Sequence, residues 1–186
     1  MRSAVIWTVR IALTILFLLS VCVGTAQKAT LEEARKEFHK AVMSDDKSRP
    51  FHRYMENFED PSAVVLAYQA VSEAMLARVL WNPFSKLTQV RKYQEKIALA
   101  VAGDPENIEI RFLRLAIEYN LPTFLGMSEH VEEDVTMIMK NLPSAASLRL
   151  DPAYGQYIFY FLEQTDLCTS DQILAMRASI AQKVTY

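Results

Sequence analysis

The stretch from Pro105 to Tyr119 constrains this chain more than any other. Placed on a helix at about 100° per residue, its polar side is one thin stripe of Asn107, Arg111, Arg114 and Glu118. Ile108, Ile110, Phe112, Leu113, Leu115, Ala116, Ile117 and Tyr119 take almost all the remaining surface. A helix apolar nearly all round needs neighbours on several sides, so this segment is expected at the centre of the fold. Glu109 breaks the pattern by projecting opposite the stripe, between Leu113 and Ala116. An unpaired carboxylate there is costly, so a partner must come from another segment.

The chain around that segment punctuates itself with proline. Pro50, Pro61, Pro83, Pro105, Pro122, Pro143 and Pro152 fall between periodic segments or in their first turns, where a missing N–H costs least. No segment alternates as a half-buried strand would. An all-α fold follows, with three helical hairpins, 62–80 with 84–102, 105–119 with 128–142 and 152–164 with 171–182, stacked as an array or compact bundle.

An additional helix precedes them, running from a Thr30 cap with Glu33 as its capping-box partner to about Met43. Residues 51–58 form a short helix or ordered loop. Asp60-Pro61 opens the following helix, whose Ala63, Ala67, Ala70, Ala74 and Ala77 make a face for close approach. Gln69 and Glu73 mark its wet edge. Gly103 is the expected C-terminal cap of the next helix, Asp104-Pro105 starts the central one, Phe124 and Leu125 tuck a loop against the core, Ser128 caps the helix after it, and Asp151 caps the one that follows. The 34-residue pattern of a true tetratricopeptide repeat is absent; the likeness is one of helix-pair architecture.

The first residues read as a targeting segment. Arg2 and Arg10 precede an apolar run from Ile11 to Val23, and Gly24-Thr25-Ala26 supplies small residues for cleavage. The expected organisation is a signal peptide over 1–26, an N-terminal helix and connecting segment over 27–60, and a helical-hairpin domain over 61–186. The alternative is a retained N-terminal membrane anchor, since the run approaches spanning length. Without Arg2 and Arg10 the remaining chain has 18 basic and 22 acidic residues, a net charge of −4. No basic block is present, which argues against a nucleic-acid partner. Cys22 lies in the leader, so Cys168 has no internal disulfide partner. His39, His52 and His130 stand at no metal-ligand spacing, and neither a phosphate loop nor a nucleophile elbow occurs, so no metal, cofactor or catalytic residue is assigned.

Between Tyr68 and Leu142 lie three motifs: Asn82-Pro83-Phe84-Ser85-Lys86-Leu87; Glu109-Ile110-Arg111-Phe112-Leu113-Arg114; and Pro122-Thr123-Phe124-Leu125-Gly126 followed by Asp134. Together they resemble an exported all-helical family of Bacteroidetes-type bacteria. That resemblance implies compartment and fold, and carries no chemistry.

Two sets of charged residues stand out. Lys86 and Arg78, like Glu109, sit on otherwise apolar faces, so the three form a candidate buried polar cluster. Its structural role is an ion pair fixing helix register; its functional role would be a pocket tuning Glu109 as a proton acceptor. Arg111 and Arg114 could hold an anion or contact a partner, although Glu118 is placed to pair with Arg114 and the stripe reads as solvated. The aromatics of helix 152–164 read as a packed face, with an apolar binding surface as their alternative role. The function expected is an exported, non-enzymatic helical module that binds another envelope protein or organises an envelope assembly. Its alternative is a small-ligand or lipid-binding protein using helix 152–164 and the Arg111/Arg114 stripe.

Overall fold

The computed structural model describes residues 30–122, 126–142 and 152–183. The expected targeting segment, Phe124, Leu125, Pro143 and the expected Asp151 cap lie outside them. Within them the fold is all-α: α1 (Leu31–Met43), a 3-10 turn (Asp45–Lys47), α2 (Ser48–Glu56), α3 (Ala63–Val79), α4 (Pro83–Gly103), α5 (Ile108–Asn120), α6 (Val131–Asn141), α7 (Pro152–Gln164) and α8 (Ser170–Lys183).

Local chemistry explains most of these boundaries. The Thr30 hydroxyl accepts from the Glu33 N–H at 3.2 Å while the Glu33 carboxylate takes the Thr30 N–H, so α1 starts on the expected capping box. Asn82 caps α4 by accepting from the Phe84 and Ser85 N–H groups, with Pro83 in the first turn. The central helix α5 begins later than Asp104-Pro105. Asn107, read above as part of the polar stripe, turns back to accept from the N–H groups of Glu109 and Ile110 and becomes the cap. Ser128 is not a cap. Its hydroxyl donates to the Glu118 carbonyl at 2.9 Å, and α6 starts three residues later.

Gly103 closes α4 for a reason other than the expected left-handed cap. It is the last helical residue, and Asp104 follows outside the helical region at φ −150° and ψ 80°. A Cβ on Gly103 would stand 3.3 Å from that of Ala63, so the glycine lets the end of α4 approach the start of α3. Of the alanine face of α3, Ala67 and Ala70 are wholly buried, while Ala74 and Ala77 line the groove described below.

Two hydrophobic clusters make up the core, and α5 belongs to both. Phe38 of α1, Phe51 and Met55 of α2, Tyr68 and Val71 of α3 and Tyr93 and Ile97 of α4 pack with Ile110 and Leu113. The other sides of α5, Ile108, Phe112 and Leu115, pack with Ile138 of α6, Ile158 and Leu162 of α7 and Met176 of α8. The aromatics of α7 are core in large part: Phe112 meets Tyr154, Tyr157 and Phe161 edge-on, with ring centroids 5.3–6.0 Å apart.

Candidate functional site: an apolar groove beside a closed ion-pair centre

Glu109 is 4% exposed, and its partner is neither Lys86 nor Arg78. Arg35, from the first turns of α1, donates from Nε to Oε1 at 2.8 Å and from Nη2 to Oε2 at 2.6 Å. The Tyr68 hydroxyl donates to Oε1 at 2.7 Å and lies 3.1 Å from that of Tyr154. The Arg35 guanidinium also rests 5.6 Å from the Tyr154 ring centroid. This hydrogen bond with Glu109 raises the Arg35 pKa above its usual range, and burial pushes the Tyr68 and Tyr154 hydroxyls above theirs. Both carboxylate oxygens are occupied by donors, one of them a fixed cation. Glu109 therefore ties α1, α3 and α5 together, and has no oxygen open to a substrate proton.

The arginine stripe is corrected in the same way. Arg111, Arg114 and Glu118 are buried rather than solvated. Arg114 donates from Nε and Nη2 to the two oxygens of fully buried Asp134, both at 2.7 Å. Arg111 reaches Asp134 at 3.0 Å, the Glu133 carboxylate and the Pro105 carbonyl. Two guanidiniums facing two carboxylates leave no uncompensated cation for an anionic ligand. Glu118, expected beside Arg114, instead accepts from the His130 N–H at 3.0 Å and sits 2.9 Å from His130 Nδ1.

Glu73, expected on a wet edge, is 3% exposed. Lys96 donates to Oε1 at 2.6 Å and His52 Nε2 lies 3.0 Å from Oε2. Burial alone would raise its pKa, but the hydrogen bonds from His52 and Lys96, with their charges, outweigh that and lower it to about 2.

With these carboxylates engaged, Lys86 and Arg78 have a different setting. Both line a groove of about 890 Å³ between α1, α3, α4, the end of α5 and α7. Phe38, Val42, Met75, Leu87, Val90, Ile117, Leu121, Tyr157 and Phe161 supply most of its wall, and among the described residues no aspartate or glutamate borders it. Arg78 is anchored outside the groove by Asp45 at 2.8 Å and the Ala41 carbonyl at 2.7 Å. Lys86 is exposed and has no ion pair among the described residues. A groove of this size falls in the range of small-molecule sites, and one apolar wall with one free ammonium suits a ligand with an apolar body and an acidic end.

The sequence signal for this groove is a lysine on an otherwise apolar helix face. Lys86 lies on an apolar face because that face borders the groove, and only Tyr157 and Phe161 of the aromatic helix reach it. Among the described residues no three His, Cys, Asp or Glu side chains converge on a metal-sized site, and no helix is long and apolar enough to cross a membrane. Cys168 faces Met139 sulfur at 3.7 Å, and burial raises its thiol pKa. Comparison with protein-family models, curated proteins and solved structures finds no match for this chain.

Proposed function

We propose that this protein is an exported, non-enzymatic helical binding module whose groove takes a small amphipathic acid, such as a fatty acid or a lipid-derived phosphate. The observation that carries the reading is the groove itself: about 890 Å³, walled by aliphatic and aromatic side chains and edged by Lys86, which has no ion pair among the described residues. Export rests on Arg2, Arg10 and the apolar run that ends in Gly24-Thr25-Ala26. The saturation of Glu109 by Arg35 and Tyr68 speaks against an acid–base role for that residue.

Binding of a fluorescent fatty acid, with its neutral alcohol analogue as control, tests the proposal. The acid should bind saturably at micromolar concentration, and Lys86→Glu should weaken it about tenfold while leaving the alcohol unchanged. That factor corresponds to ~1.4 kcal/mol, near the lower end of what a charge-assisted hydrogen bond contributes. Absence of saturable binding by the folded chain would remove the reading.

A second reading assigns the groove to an apolar helix of another envelope protein, in keeping with the concave surfaces of helix-pair arrays. Its support is architectural analogy. A peptide helix that displaces the fatty acid and binds equally well to the Lys86→Glu variant would favour it.

A further inference from the structure

The turn joining α3 to α4 carries the two most exposed large apolar side chains among the described residues. Trp81 is 97% exposed and Phe84 83%. Single exposed apolar residues are ordinary on protein surfaces. Here two exposed aromatics stand three residues apart at one turn, and backbone and side-chain hydrogen bonds define that turn. The Asn82 side chain caps α4, Pro83 fixes its first turn, and the Leu80 N–H closes on the Ala77 carbonyl. The rings are therefore held outward by regular structure.

Along the sequence the charge of the α3–α4 turn and its flanks has one sign. From Ala74 to Gln94 the chain holds Arg78, Lys86, Arg91 and Lys92 and no aspartate or glutamate, within a protein of net charge −2. Asp45 engages Arg78 from the 3-10 turn. Lys86, Arg91 and Lys92 are exposed and have no ion pair among the described residues. Arg49 adds a cation at the base of the tip, where it reaches the Val79 carbonyl at 3.5 Å.

We infer that the α3–α4 tip docks onto an anionic lipid surface, with Trp81 and Phe84 entering the headgroup region and Lys86, Arg91 and Lys92 facing the phosphates. Aromatic rings favour that layer, and clustered cations beside it are attracted by the negative surface potential. Two exposed rings followed along α4 by three exposed cations suit a fluid anionic surface better than a protein partner, which would need a matching pocket for each ring. The tip is also continuous with the groove, since Pro83, Lys86 and Leu87 line it. Surface docking thus places the groove beside a source of acyl chains; the two readings share Lys86, whereas Trp81, Phe84, Arg91 and Lys92 lie outside the groove lining and serve the docking alone.

Trp7 and Trp81 are the only tryptophans, so the full chain with Trp7→Phe reports on the tip alone. Its emission is recorded with vesicles of phosphatidylglycerol or of phosphatidylcholine carrying brominated acyl chains. Trp81 emission should move to the blue and be quenched on phosphatidylglycerol, with little change on phosphatidylcholine. Lys86→Gln, Arg91→Gln and Lys92→Gln combined should raise the phosphatidylglycerol content needed for half-maximal quenching, with the helical circular dichroism retained. An N-terminal segment that holds the chain on a vesicle does not supply this signal, because the readout is contact at Trp81. Unchanged Trp81 emission on phosphatidylglycerol overturns the inference, as does equal quenching on both lipids. Fatty-acid binding by a Trp81→Ser, Phe84→Ser variant separates this inference from the groove: it should be unchanged.

Discussion

Arg35 on the first helix and Glu109 on the central helix meet across 74 residues of chain through two parallel hydrogen bonds. The pair is unequally buried, with the Glu109 side chain 5% exposed and that of Arg35 23%. That asymmetry sets the ranking of variants. Arg35→Met strands the buried carboxylate with only Tyr68, and should cost about 3 kcal/mol or more. Glu109→Gln keeps an acceptor for Tyr68 and leaves Arg35 partly able to reach water, so about 2 kcal/mol is expected. The double variant Arg35→Met, Glu109→Met should be more stable than the sum of the single losses implies. Urea denaturation of the four chains measures this, and additive losses would show that the two residues do not act as a pair.

Asp134 supports the other side of the same helix. It is the only fully buried carboxylate facing Arg111 and Arg114, because the Glu133 side chain is 56% exposed. Asp134→Asn keeps the side-chain shape but removes the charge and turns an NH2 donor toward an Arg114 N–H, leaving two guanidiniums buried against one exposed carboxylate. A loss of about 3 kcal/mol is expected. Glu133→Gln should cost less than about 1 kcal/mol, as a partly solvated pair does. Thermal unfolding of the two variants distinguishes them. Equal effects would mean that Glu133 shares the neutralisation equally.

Features written within one helical segment were legible in the sequence. The Thr30–Glu33 box, the alanine face of α3, the all-α class and the many-sided burial of α5 all follow from periodicity and short-range spacing. Charges on helix faces were a different matter. A polar stripe looks the same whether it faces water or an oppositely charged helix, so Arg111 and Arg114 read as solvated while Glu133 and Asp134 waited 20 or so residues away. Conversely, an isolated charge on an apolar face signals a buried partner or a groove. Glu109 proved to be the first kind and Lys86 the second. Which cation meets which carboxylate is decided by the tertiary packing of α1, and periodicity along α5 does not contain it.

Glu73 gives a pH signature that follows from its packing. Its pKa is lowered from the usual 4.5 to about 2 in the fold, through His52 and Lys96 acting against the opposing effect of burial. A carboxylate with a depressed folded pKa contributes stability that is fully present above its unfolded value and is lost as pH falls through its folded value. The contribution should therefore be constant at neutral pH, begin to fall near pH 4.5 and be gone below about pH 2. A shift of that size corresponds to about 3 kcal/mol as an order of magnitude. Glu73→Gln should lose this increment at pH 7, and its stability should change less steeply between pH 5 and pH 2 than that of the parent, roughly the interval bounded by the two pKa values. Denaturation midpoints across that range measure the difference. Parallel pH profiles for parent and variant would show that His52 and Lys96 do not hold the carboxylate in its charged form.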